Sequence, residues 1–324
     1  MSTRLIAGIL IVILLLLATL LAMRQSGPET MALSSTDLKG TVALSGAFAL
    51  YPMSVRWGEE FQKLHPDVKV EVSAGGAGKG MADVLGGLVD IGMVSRGIDK
   101  SEIDKGAYPI AVTKDAVVGT INSKNPVLKD ILARGITKDT LKAIFINGSI
   151  KTWGDVVGSH NITDAIHVYT RSDAAGASDT WAQYLGGVKQ DNLKGIGVYG
   201  DPGLVAAVQK DPLGIGYNNY IYAFDNDTGK SVSGIVVLPF DINGNGVVDP
   251  DEDLSTKEKT ISSIQKGVFP SPPARVEYFV TKGKPTGVTA EFIRWVLTDG
   301  QKFDSEVGYI ELPKADLDAE LKKL

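Results

Sequence analysis

Ala74-Gly75-Gly76-Ala77-Gly78-Lys79-Gly80, followed by Asp90-Ile91-Gly92-Met93-Val94-Ser95-Arg96, is the stretch on which the reading of the fold turns. Before it, Val68-Lys69-Val70-Glu71-Val72 alternates apolar and charged residues, as a strand with one covered face does. After the glycines, Lys79 to Leu88 reads as a helix and Asp90 to Val94 as a second strand. A strand, a loop of small residues and a helix start leave the first helical N–H groups unpaired at the positive end of the helix dipole. Glycine at 76 and 78 lets that backbone come close to a ligand. A strand ending in Ser-Arg adds one hydroxyl and one planar fork suited to an oxyanion. A tight strand–helix turn without a ligand is the plainer reading of the same residues.

Two further segments repeat the arrangement. Ser45-Gly46-Ala47-Phe48-Ala49-Leu50-Tyr51-Pro52 follows the strand-like Thr41 to Leu44 and opens a helix from Tyr51 to Leu64, stopped by His65-Pro66. Arg171-Ser172-Asp173-Ala174-Ala175-Gly176-Ala177-Ser178 follows the strand Ile166 to Thr170 and opens a helix from Ala177 to Leu185. Beyond these come a helix from Gly203 to Gln209, strands at Ile215–Tyr217 and Ile235–Leu238, and helices from Ala290 to Leu297 and Lys314 to Leu324. Strands alternating with helices predict an α/β chain with mixed sheets flanked by helices. Ligands of such sheets sit at the carboxyl ends of the strands, where these loops lie.

Composition narrows the function. The 324 residues are 44% hydrophobic and 22% charged, with a net charge of −5. That is a packed chain of about two domains, without the basic surface a nucleic-acid partner requires. No cysteine is present, so thiolate chemistry, disulfides and a lipid-modified cysteine are all excluded. His65, His160 and His167 share no metal-ligand spacing. Trp153, Trp181 and Trp295 fall at helix or turn positions and are read as packing residues. No nucleophile elbow precedes a helix, so an enzyme is not expected. From Leu5 to Met23 the chain is apolar or small and uncharged, between Arg4 and Arg24. A spanning helix needs about 20 residues and a signal peptide's apolar region about 7–15. The run is read as an uncleaved membrane anchor, with a cleaved leader as the alternative. The flanking charges are balanced and do not fix orientation; the body is expected to lie wholly on one side, most simply outside the cytoplasm.

The motifs, taken in order, resemble those of the PstS family, the extracytoplasmic phosphate-binding proteins of ABC importers. Gly46 to Pro52 is similar to its Gly-Ser-Thr-Thr-x-Tyr-Pro loop, and Gly75 to Gly80 to its Gly-Gly-Ser-Gly-x-Gly loop. Asp90 to Arg96 is similar to Asp-Ile-Gly-x-Ser-Ser-Arg, and Arg171 to Ala177 to Arg-x-Asp-Gly-Ser-Gly-Thr. Leu141 to Trp153 and Gly214-Ile215-Gly216-Tyr217 add to the match. The resemblance implies a two-lobe type II periplasmic-binding-protein fold. Residues 1–34 would be anchor and linker, 35–119 and 224–324 the first lobe, and 120–223 the second, hinged near Gly119 and Phe224. It also implies a monomeric receptor that needs no cofactor, captures inorganic phosphate and delivers it to ABC permease subunits. The ligand contacts carried over are the backbone at Phe48, Ala49, Leu50, Ala77 and Gly78, the side chains of Ser95 and Arg96, and Arg171, Asp173, Gly176 and Ala177.

Four of the family's hydroxyl positions hold alanine here, at Ala47, Ala77, Ala175 and Ala177, and Phe48 replaces another. The site then leans on backbone N–H groups and two guanidinium forks. A receptor for another tetrahedral oxyanion, sulfate or molybdate, is the alternative, with a phosphoesterase less favoured. Asp173 either accepts the proton of a bound phosphate or orients Arg171. A separate segment, Asp241 to Glu252, fits the calcium-loop template: Asp241, Asn243, Asn245, Val247, Asp249 and Glu252 fall at the ligand positions, and Gly246 at the sharp turn. A structural Ca²⁺ is expected there, against the simpler reading of an Asn-Gly surface turn.

Overall fold

The structure, a computed structural model, describes residues 38–324. The apolar run from Leu5 to Met23 lies outside the described residues. Among the described residues no helix is long and apolar enough to cross a membrane.

Among the described residues nine strands form one mixed sheet: β1 (Gly40–Gly46), β2 (Val68–Ala74), β3 (Ile91–Val94), β4 (Ala107–Asn122), β5 (His167–Arg171), β6 (Ile196–Val198), β7 (Gly214–Asn219), β8 (Ile235–Val237) and β9 (Ala274–Lys282). Their order is β2-β1-β3-β9-β4-β7-β5-β6, with β8 also paired to β4. β1, β2 and β3 are parallel, as are β5, β6 and β7, while β4 and β9 run antiparallel to their neighbours. The long strand β4 joins the halves. Ala107 to Ala116 pairs with β9, and Val117 to Ile121 pairs with β7.

Each half has its own aromatic core. In the first, the helix α1 (Tyr51–Leu64) buries Met53, Trp57 and Phe61, a spacing of four that makes one face. Trp57 meets Phe279 edge-on at 5.6 Å, Phe61 meets Phe292 at 5.2 Å, and the Trp57 indole donates to Gly300 O at 2.9 Å. In the second, Trp181 stacks on Tyr217 at 5.6 Å, Tyr184 on Phe240 at 5.8 Å, and Phe240 on Phe269 at 5.5 Å. Trp153, Trp181 and Trp295 are all buried, as packing residues should be. The segment from Phe224 to Phe269, expected to return to the first lobe, packs instead in the Trp181 core through Phe224, Ile235, Leu238, Phe240, Leu254 and Phe269. The chain rejoins the first half at β9, where Ala274 to Lys282 pairs along β4.

The line where the halves meet is polar. Arg275 donates to both carboxylate oxygens of Asp115 at 2.7 and 2.9 Å, and Glu277 lies beside them, fully buried, with Oε2 lacking a partner. Burial, reinforced by the Asp115 charge and only partly offset by Arg275, holds the Glu277 carboxyl well above the usual carboxylate range. Burial also raises Asp304, despite the hydrogen bond it accepts from Thr113 at 2.7 Å. An acid raised on folding contributes stability that is complete below its unfolded value of about 4 and is lost as the pH rises toward the folded value. Carboxylates lowered on folding are ionised in both states above about pH 5 and add no slope there. Urea unfolding of the chain is therefore expected to show stability falling between about pH 5 and about pH 7, with a shallower fall in Glu277→Gln. Equal slopes in the two proteins would contradict this assignment.

Candidate functional site

Two helices start at the loops singled out above. α2 (Ala77–Leu85) follows Gly76, whose φ of +94° is open to glycine and costly for any side chain. α3 (Gly176–Gly186) follows Ala175 in extended conformation. The two starts are in contact. Gly78 N–H donates to Ala174 O at 3.0 Å, and a Cβ on Gly78 would collide with that of Ala174. A Cβ on Gly76 would lie 2.8 Å from Asp173 Oδ2. Gly176 is packed directly on Ser95, so closely that a Cβ there would overlap Ser95 Oγ. Ser95 is only 2% exposed, and its hydroxyl has no partner within the described chain.

Small residues thus bring the ends of β1, β3 and β5 to one place. Among the described residues, no intrachain acceptor is found for the N–H of Phe48, Ala49, Ala77, Gly176 or Ala177. Leu50 N–H, by contrast, is spent on Ala47 O at 3.2 Å, and Gly78 N–H on Ala174 O. The Phe48 loop is gripped from behind: Tyr222 donates to Phe48 O at 2.9 Å, and the Tyr309 hydroxyl to Ala49 O.

Arg171, at the end of β5, is the buried cation of this assembly. Its Nε and Nη2 donate to the two oxygens of Asp173 at 2.8 and 2.6 Å, and its Nη1 to Asp201 Oδ2 at 2.5 Å. The Phe48 ring lies over the guanidinium, 5.2 Å from its centre. Burial opposes the charge, but Asp201 and Asp173 outweigh it, so the guanidinium is held protonated even more firmly than usual. Asp173 Oδ1 also accepts from Gly200 N at 3.1 Å, at the start of α4 (Gly200–Lys210). Asp173 therefore pairs with Arg171 through both oxygens, while its Oδ2 faces the α2 loop at Gly76.

Arg96 stands apart from that cluster. Its fork grips Glu102 at 2.7 and 2.9 Å and Gly97 O at 2.8 Å, with Asp179 at 3.6 Å. The hydrogen bonds and charge of Glu102 raise its pKa despite burial. It lines a cavity of about 430 Å³ with Asp99, Asp179, Gln183 and Tyr278. Asp201 and Asn219, both buried at the cluster, were missed in the sequence. The one signal for Asp201 is an acidic residue just after a glycine at a helix start.

The loop 241–252 is held by its own hydrogen bonds. Asp241 accepts from Asn245 N and Gly246 N at 3.1 and 3.0 Å, Glu252 from Ile242 N at 2.8 Å, and Asp249 from the Asn243 and Asn245 amides at 2.7 and 3.0 Å. Val247 is exposed at the loop surface. Among the described residues no group of three or more His, Cys, Asp or Glu side chains is placed to hold a metal ion.

A mixed α/β sheet whose helix starts converge at strand ends is the architecture of a solute-binding domain. A family profile described as PBP superfamily domain matches residues 33–300, and the chain belongs to that superfamily. Within it, the resemblance read from the motifs is borne out. The chain is 28% identical over 275 residues to the phosphate-binding protein PstS of Bacillus subtilis (strain 168), covering 84% of this chain and 80% of that protein. It is 28% identical over 345 residues to the phosphate-binding protein PstS of Methanocaldococcus jannaschii, covering 87% and 85%. Among solved structures, a candidate phosphate ABC transporter substrate-binding protein with bound phosphate from Clostridium perfringens shares the fold, with a TM-score of 0.68, 21% identity, and coverage of 85% of this chain and all of that one.

The contact of Gly176 with Ser95 gives a direct check. Gly176→Ala is expected to force β3 and α3 apart, because the new methyl meets backbone as well as the Ser95 hydroxyl. Overpacking of this kind costs about 1–3 kcal/mol. Thermal unfolding of the variant at the parent's midpoint would contradict the close approach.

Proposed function

We propose that the chain is an extracytoplasmic receptor that takes up inorganic phosphate between two lobes and hands it to an ABC permease. The observation that carries this reading is the meeting of the starts of α2 and α3, with unspent N–H groups on Ala77, Gly176 and Ala177 and the Ser95 hydroxyl packed against Gly176. Backbone amides at two helix starts stabilise a dianion without a mobile counterion. Relatives named phosphate-binding protein PstS, matched over more than four-fifths of this chain, support the choice of anion.

In this reading the lobes are the halves of the sheet on either side of β4: 39–116 with 274–324, and 117–273. Phe48, Ala49, Ala77 and Ser95 belong to the first, and Arg171, Gly176 and Ala177 to the second. An anion bridging both sets favours the closed arrangement by the difference in its affinity for the two states. Nothing in this role makes or breaks a bond. Delivery outside the cytoplasm requires export, for which the apolar run from Leu5 to Met23 is the evident means, as anchor or as leader.

Alanine at Ala47, Ala77, Ala175 and Ala177 favours a second reading, a receptor for sulfate or molybdate, which need no acceptor for a ligand proton. Thermal unfolding of the chain with equal concentrations of phosphate, arsenate, sulfate and molybdate separates the two. Phosphate and arsenate are expected to raise the midpoint, by about 2.7 kcal/mol of stability at a hundredfold excess over Kd, and Arg171→Ala is expected to abolish the rise. A rise with sulfate or molybdate and none with phosphate would overturn the phosphate reading and keep the receptor.

A further inference from the structure

We propose that Asp201 is a positioning residue for Arg171, and that Asn219 and Arg275 tie it to the strands joining the two halves of the sheet; this rests on the receptor reading above. The chain of contacts is continuous and buried. Arg171 Nη1 donates to Asp201 Oδ2 at 2.5 Å. Asn219 holds the same carboxylate from the other side, its backbone N on Oδ1 at 2.9 Å and its amide on Oδ2 at 2.8 Å. The Asn219 side-chain oxygen Oδ1 accepts from Arg275 Nη2, whose guanidinium also grips Asp115 on β4 and donates from Nη1 to Thr180 Oγ1 at 3.0 Å.

The three elements reached are those that must act together. Arg171 belongs to the anion cluster. Thr180 lies on α3, whose first amides face that cluster. Asp115 and Arg275 face each other on β4 and β9, the pair through which the sheet passes from one half to the other. The Asp201 and Asp115 side chains have no exposure, and those of Arg171 and Arg275 have 2% and 7%. Buried ion pairs add little net stability, because desolvation cancels most of the attraction. Their geometry, however, is strict. With Asp173 and Asp201 on opposite edges, the Arg171 plane has one orientation, and that orientation is registered to the junction strands. Movement of one half against the other then shifts Asp201, and with it the guanidinium that faces the anion loops.

The sign of one substitution separates positioning from simple charge. Asp201→Asn removes a negative charge beside the anion cluster, so electrostatics alone makes phosphate bind more tightly. Positioning has the opposite outcome, because in either orientation the new N–H₂ faces a donor: the Asn219 backbone N–H at the Oδ1 position, or Arg171 Nη1 and the Asn219 amide at the Oδ2 position, so the side chain must shift. Isothermal titration of the folded chain with inorganic phosphate is expected to show binding weakened at least about tenfold in Asp201→Asn, or about 1.4 kcal/mol. Arg275→Lys keeps the charge but cannot span Asp115, Thr180 and Asn219 together; it is expected to show a loss of the same direction and carries the test if Asp201→Asn does not fold. Binding in these variants as tight as in the parent, or tighter, overturns the positioning role alone. A parent chain that binds no tetrahedral oxyanion overturns the receptor reading and this inference with it.

Discussion

Burying the Arg171 guanidinium without losing its charge is the constraint on which the rest of the structure depends. An unpaired buried ion costs several kcal/mol even after relaxation. Here two carboxylates, Asp173 and Asp201, meet the fork on different edges, and the Phe48 ring covers its face. Those partners come from three different segments, two loops and the first turn of α4. Satisfying one side chain therefore fixes where the end of β5, the start of α4 and the loop after β1 must stand.

The small residues follow from that demand. Helix starts carry N–H groups that would repel one another if nothing accepted them. They approach closely here because Gly76, Gly78 and Gly176 leave no Cβ in the way. The result is a cluster of donors built from backbone, with Ser95 as its uncommitted hydroxyl. Alanine where the related loops have hydroxyl residues does not remove the amides. It strips the side-chain donors and leaves the fixed dipoles, so in the proposed receptor recognition would rest on loop geometry more than on side-chain hydrogen bonds.

Much of this was legible. The three glycine loops and the strands and helices around them occur in the order read, because apolar periodicity and helix-start chemistry are local signals. β4 and β9 were not legible. Lys114, Asp115, Arg275 and Glu277 interrupt their apolar runs, since these strands carry the buried charges of the junction rather than a plain core. For the same reason the position at which the chain returns to the first half was misread: Phe224 to Phe269 looks like any apolar sequence until Phe240 and Phe269 are seen against Tyr184. Arg96 was read as a ligand fork from its place after Ser95. In the structure both of its terminal nitrogens donate to Glu102, a pairing that sequence spacing does not reveal.

The account stands or falls on whether the unspent amides are the ones that meet the anion. Backbone ¹H–¹⁵N spectra of the chain, titrated with inorganic phosphate, measure this directly. The amide signals of Phe48, Ala49, Ala77, Gly176 and Ala177 are expected to move downfield together on one saturating curve, residues of both halves sharing one apparent Kd. Shifts confined to one half, or centred on Arg96 and its cavity while these amides stay still, would contradict it.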